Sequence, residues 1–163
     1  MAAHRLKFLP LHRFFTFTDK IYSDTVYMKP THIEHLGIAV NSLEECIPFF
    51  ENILGLTCYA VEEVAEQQFR TAFFMVGQTK IELLESTDPE GPIGKFLETR
   101  GQGVHHVAFA VEGLQEKLDL IAGKGVRLID KTPRKGAEGL DIAFLHPKST
   151  CGVLMELCEH PKK

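Results

Sequence analysis

The chain carries the same pattern twice. Glu34-His35-Leu36-Gly37-Ile38-Ala39-Val40-Asn41-Ser42-Leu43-Glu44-Glu45 lines up with His105-His106-Val107-Ala108-Phe109-Ala110-Val111-Glu112-Gly113-Leu114-Gln115-Glu116, 71 positions further on. Lys80-Ile81-Glu82-Leu83-Leu84-Glu85 lines up with Leu154-Met155-Glu156-Leu157-Cys158-Glu159, 74 positions further on. A repeat of this length is one supersecondary unit used twice, with each copy offering the other a like surface to pack against.

Each copy opens with strict alternation, the mark of a strand with two different faces. Leu36, Ile38 and Val40 share one face, and His35, Gly37 and Ala39 share the other. In the second copy Val107, Phe109 and Val111 oppose His106, Ala108 and Ala110. Each histidine thus sits among small neighbours, which leave room for a ligand. A helix follows each strand. Ser42 with Glu45 makes a capping box, Leu43, Ile47, Phe50 and Leu54 recur at helical spacing, and Gly55 stops the run. In the second copy Leu114, Leu118 and Ile121 recur, ending at Gly123 or Gly125. Strands are expected over residues 69–76 and 79–85 in copy one, and over 140–145 and 153–158 in copy two. A short helix is expected near residues 93–99 of the linker. The order implies an α+β fold of two tandem βαβββ modules, forming a curved mixed sheet around a metal site. We place the domain at about residues 30–160, with module one at about 31–86, a linker at about 87–103 and module two at about 104–159.

The bulk properties agree. A length of 163 residues suits one domain able to bury a core. The net charge of −4 and the absence of a basic stripe argue against nucleic acid. No apolar run approaches the roughly 20 residues of a spanning helix, so no membrane partner is expected. Cys46, Cys58, Cys151 and Cys158 form no C-x-x-C pair and are read as reduced thiols of a cytoplasmic protein. Residues 1–18 hold Arg5, Lys7 and Arg13 but no acid. Residues 1–29 are read as a flexible extension, with an organellar presequence as the alternative.

Each copy contributes one histidine early and one glutamate late, giving His35, Glu82, His106 and Glu156. A lone histidine on a strand is usually structural, and a lone carboxylate in an apolar strand is costly to bury. The recurrence of both types at equivalent places points instead to one divalent metal ion. Two imidazoles and two carboxylates suit a divalent ion of the cobalt, nickel, zinc, manganese or iron type. The donor types do not choose among them; cobalt is taken as the first candidate, with nickel, manganese or zinc as alternatives. Four such ligands leave two cis positions at which substrate oxygens can chelate. His105 has no ligand counterpart in copy one, where Glu34 stands, and is read as a loop residue or a support behind the ligands.

Several stretches resemble methylmalonyl-CoA epimerases: Thr79-Lys80-Ile81-Glu82-Leu83-Leu84-Glu85, then Gly91-Pro92-Ile93-Gly94-Lys95-Phe96-Leu97, then Gly103-Val104-His105-His106-Val107-Ala108-Phe109. So do Phe144-Leu145-His146-Pro147-Lys148-Ser149 and Gly152-Val153-Leu154-Met155-Glu156-Leu157. The resemblance covers about residues 31–160. It implies the vicinal oxygen chelate, or glyoxalase-like, fold, an acyl-CoA substrate, a homodimer, and interconversion of the (R) and (S) epimers of methylmalonyl-CoA through a metal-stabilised enolate. By the same match Glu156 is both ligand and acid/base. Lys148 and Ser149 are candidates for the CoA tail, against an ordinary solvated turn, as is the basic loop at Arg134 and Lys135. Two positions depart from the family pattern. Thr71 stands where some relatives carry a glutamate base, which leaves Glu66, Glu63 or a water to act on the second side. Glu82 stands where some carry glutamine. The rival readings are a glyoxalase I-type lyase acting on a glutathione hemithioacetal, an iron oxygenase, and a metal-free small-molecule-binding protein of the resistance type. An oxygenase needs only two histidines and one carboxylate.

Overall fold

The structure, a computed structural model, describes residues 27–160. The extension is therefore outside the described residues up to position 26. Eight strands and three α-helices follow in the order β1 (His32–Val40), α1 (Leu43–Asn52), β2 (Cys58–Val64), β3 (Phe69–Val76), β4 (Thr79–Ser86), α2 (Pro92–Arg100), β5 (Gly103–Ala110), α3 (Leu114–Gly123), β6 (Arg134–Lys135), β7 (Asp141–Leu145) and β8 (Met155–Glu159). All strands join one mixed sheet of order β2-β3-β4-β1-β5-β8-β7-β6. The first four and the last four read alike outward from the centre. β1 pairs parallel with β4 and β5 pairs parallel with β8, while β1 and β5 meet antiparallel at the seam. These relations define an approximate twofold axis between β1 and β5, about which the sheet curls as a half-barrel.

Alternation decides which side chains meet which layer. On the convex face α1 covers Val40, Ala72, Phe74 and Leu83. Helix α3 covers Val111, Ala143, Leu145 and Leu157 through Leu114, Leu118 and Ile121. On the inner face two smaller clusters form. Ala39, Phe69 and Leu84 pack with Ile93 of α2, and Ala108, Leu140, Ile142 and Cys158 pack together on the other side of the seam. The two clusters flank a strip of polar residues along the seam. No helix among the described residues is long and apolar enough to cross a membrane. All four cysteines are unpaired.

The helix signals act as their chemistry requires, with one difference. The Ser42 side chain accepts from Glu45 N–H at 3.2 Å and starts α1. Regular helix ends at Asn52, and the turn closes at Gly55, whose φ of +68° lets Leu56 N–H reach the Phe50 carbonyl at 3.0 Å. Leu54 falls in that unwound turn and is exposed rather than on the apolar face. In the linker, Pro92 occupies the first turn of α2, where its missing N–H costs nothing. The edge strands β2 and β6 carry no local mark in the sequence. Every second residue of β2 is exposed, and β6 is two residues long.

Candidate metal centre

Strict alternation would turn Glu34 outward with Leu36. Instead β1 bulges there: Ile33 pairs with Phe109 and His35 with Ala108, leaving Glu34 unpaired. Glu34 and His35 are consequently both buried. Strand β5 bulges at the equivalent place. Gly37 pairs with His106 and Ile38 with Val104, leaving His105 unpaired. A bulge inserts one residue, bends the strand and re-aims the side chain beside it. Here the pair of bulges places one supporting side chain behind each inward histidine.

The four repeated residues converge across the seam. His35 Nε2 and His106 Nε2 face each other at 2.9 Å, with the rings edge to face. Glu82 Oε2 lies 3.4 Å from the first and 3.6 Å from the second. Glu156 Oε1 is 3.8 Å from His35 Nε2, and its Oε2 is 3.6 Å from His106 Nε2. Donor atoms of His35, His106 and Glu156 all lie within 4.8 Å of one another. Glu82 falls outside that mutual set, so Glu82 to Glu156 is the long edge of the four. Ligands about 2.1 Å from a central cation stand about 3 Å apart when adjacent and at most about 4.2 Å apart when opposite, so the histidine–carboxylate spacings suit a divalent ion, and Glu82 and Glu156 must draw together to share it. The donor types fit as well. Gly37 makes the approach feasible, because a Cβ there would occupy the His106 ring.

Each imidazole has a partner on its other nitrogen. His35 Nδ1 is 2.5 Å from Glu34 Oε2, and His106 Nδ1 is 2.9 Å from His105 Nδ1. A partner on Nδ1 fixes the ring and directs Nε2 at the centre. Glu34 Oε1 in turn meets Lys80 Nζ at 2.7 Å. Burial opposes ionisation of Glu34, but the hydrogen bonds from His35 and Lys80 overcome it and hold the carboxyl down at about 2. Burial likewise opposes the charge on Lys80, and bonds to Glu138 and Glu34 outweigh it, raising the ammonium above its ordinary range. His35 is raised to about 9 against its own burial by Glu34, Glu82 and Glu156. Burial pushes Glu156 up to about 8, and Glu82 also upward, with His35 pulling both down. His106 is driven well below the imidazole range by burial and by its two histidine neighbours. His105 is lowered to about 4 by burial and Arg100. A cluster so far from water must be balanced by protons or by a cation, and its donors suit a cation.

A cavity of about 210 Å³ opens over the cluster. Its walls are largely apolar, including Phe69, Phe73, Ile93 and Phe144, and Arg134 lies along one wall with its guanidinium 5.4 Å from the Phe144 ring. Lys148 and Ser149 lie outside this lining, on the turn after β7, where Ser149 Oγ accepts from Arg127 N–H at 3.0 Å. Glu63 and Glu66 are exposed and do not line the cavity either. Thr71 is fully buried, and its hydroxyl makes no regular hydrogen bond, though it lies near enough to Glu82 to favour the ionised carboxylate. Glu34 and Lys80 are the site residues that sequence reasoning passed over. Lys80 had a readable signal, because it stands two residues before Glu82 on one strand and so shares its face. Glu34 had none, since its position depends on the bulge.

A profile of the Glyoxalase/Bleomycin resistance protein/Dioxygenase superfamily matches residues 34–144. The uncharacterized protein YqjC of Bacillus subtilis is 46% identical over 127 residues, covering 78% of this chain and 91% of its own. The mitochondrial methylmalonyl-CoA epimerase of Dictyostelium discoideum is 35% identical over 128 residues, covering 78% of this chain and 77% of its own. Among solved structures, a variant of Streptomyces coelicolor methylmalonyl-CoA epimerase in complex with 2-nitronate-propionyl-CoA superposes with a TM-score of 0.78 at 36% identity, over 80% of this chain and 95% of that one.

Proposed function

Because the chain belongs to the methylmalonyl-CoA epimerase family of the glyoxalase/bleomycin resistance protein/dioxygenase superfamily, we propose that it interconverts the (R) and (S) epimers of methylmalonyl-CoA with one divalent metal ion, cobalt foremost, held by His35, Glu82, His106 and Glu156. The observation that carries this reading is the symmetry of the two carboxylates. The twofold axis passes between the two imidazoles, so a group bound on the axis has Glu156 on one side and Glu82 on the other. Epimerisation removes a proton from one face of a carbon and returns one to the opposite face, which needs an acid/base on each side. Thr71 has no carboxylate, and Glu63 and Glu66 are exposed. Glu82 is therefore the partner of Glu156, each in turn taking the α-proton or giving one back. The bound cation would act as a Lewis acid, easing negative charge onto the thioester oxygen as the α-proton leaves.

The apolar walls formed by Phe69, Phe73 and Phe144 exclude water from the reacting carbon, and Arg134 offers a charge to the anionic substrate. The CoA tail extends past the cavity, where Lys148 and Ser149 are the residues to test. We also read the protein as a cytoplasmic homodimer. Support for dimerisation comes from β2, which ends the sheet among the described residues and carries exposed Val61. The deciding experiment loads the protein with cobalt and supplies one epimer in heavy water. Proton NMR follows loss of the α-hydrogen, and a stereospecific mutase assay follows the other epimer. Both signals are expected, and both should vanish in His106→Ala. Metal retention without exchange or epimer formation would reject the substrate, and methylglyoxal with glutathione would then be the assay to run.

A further inference from the structure

We infer that Glu34, anchored by Lys80, is a positioning residue that sets the metal affinity of the centre through His35, and that the loop at residues 134–140 is tied to the centre through the same lysine. The inference rests on the metal reading above. Glu34 holds His35 Nδ1 with one carboxylate oxygen and Lys80 Nζ with the other, and both Glu34 and Lys80 are buried. Lys80 also pairs with Glu138, which belongs to the second half of the chain. Glu138 sits in the left-handed region with φ of +52°, a conformation that residues with a side chain rarely adopt. Three bonds from the first half hold it there. Lys80 takes one carboxylate oxygen, Tyr59 Oη–H donates to the other at 3.0 Å, and Glu138 N–H donates to Glu62 Oε2 at 3.1 Å. The result is a continuous path: loop, Glu138, Lys80, Glu34, His35, centre.

The equivalent path in the second half is shorter and chemically different. His106 Nδ1 meets His105 Nδ1, whose ring packs edge-on against Phe96. The twofold that equates the ligands thus does not equate their supports. A carboxylate raises the basicity of the imidazole it holds more than a second imidazole does. His35 is therefore the stronger donor of the two, and its strength is borrowed from Glu34.

The test measures cobalt dissociation constants of the full chain by chelator competition, together with the cobalt absorption spectrum. Glu34→Ala should weaken binding roughly 10- to 100-fold. E34Q keeps an oxygen acceptor for Nδ1–H without the charge and should fall between E34A and the parent. K80M should weaken binding less than E34A does. Arg70→Met, which breaks ion pairs to Glu44 and Glu85 on the convex side, should leave the affinity unchanged and thereby separate positioning from a general loss of stability. If E34A does not fold, E34Q and K80M decide the matter on the same readout. Parental affinity in the folded Glu34 and Lys80 variants overturns the inference, and so does a parent chain that binds no cobalt. Tight cobalt binding without epimerase activity overturns only the substrate assignment and leaves the positioning role standing.

Discussion

At the scale of single residues, the pairing of Glu82 with Glu156 makes a sharp prediction. If each serves one face of the substrate, removing one should not abolish both half-reactions. E82Q retains a metal-binding oxygen but cannot take up a proton from substrate. It should still exchange the α-hydrogen of one epimer with heavy water while converting it to the other at least 100-fold more slowly, in line with the worth of a positioned acid/base. E156Q should show the mirror-image preference. Loss of exchange from both epimers in one variant, with exchange of both retained in the other, would mean that a single group handles both faces. Gly37 offers a test of packing at the same site. Gly37→Ala forces its methyl into the space of the His106 ring, so cobalt affinity in a chelator titration should drop more than tenfold, as expected when a ligand is turned aside. The four converging residues were legible in the sequence because they recur in both copies at equivalent places. Of the side chains behind them, Glu34 was not legible, since it is turned inward by an extra residue in β1 that no composition or period marks.

At the scale of elements, the helices were readable from capping and apolar spacing, and they pack where those signals direct them. Leu118 on α3 is fully buried against the sheet. Leu118→Ala should lower unfolding free energy by about 2–5 kcal/mol in urea denaturation, with cobalt affinity of the folded protein intact because α3 lies on the convex side. The strands divide more unevenly. Those at the centre, β1, β4 and β5, carry strong alternation, because one face meets helices and the other meets the site. The edge strands β2 and β6 lack that constraint on their outer residues, and they left no comparable trace. The turn after β7 is marked by its His-Pro-Lys-Ser motif, in which His146 Nδ1 accepts from Lys148 N–H at 3.1 Å and Ser149 Oγ ties the turn to Arg127.

At the scale of the whole molecule, the centre joins the two halves of the sheet, so a bound cation should stabilise the entire fold. Cobalt at about a hundredfold excess over its dissociation constant adds about 2.7 kcal/mol, which for a chain of this size raises Tm by roughly 5–10 °C. Chelator should reverse the rise in a thermal melt. The sign with pH follows from competition between protons and the cation for His35, held up at about 9, and Glu156, pushed up to about 8. The cobalt-dependent increment should therefore be largest above pH 9 and shrink as pH falls through that range, because protons displace the metal. A pH-independent increment would place the ion elsewhere.

The symmetry of the sheet also bears on how such a centre can arise. Each half supplies one histidine and one glutamate, and among the described strands the two halves of the sheet pair through β1 and β5 at the seam. A half-length ancestor with a single His and a single Glu would reach the same four-donor set by self-association, with no second gene copy. Fusion of two copies would then free each half to drift alone. The carboxylate behind His35 and the imidazole behind His106 are the trace such drift would leave.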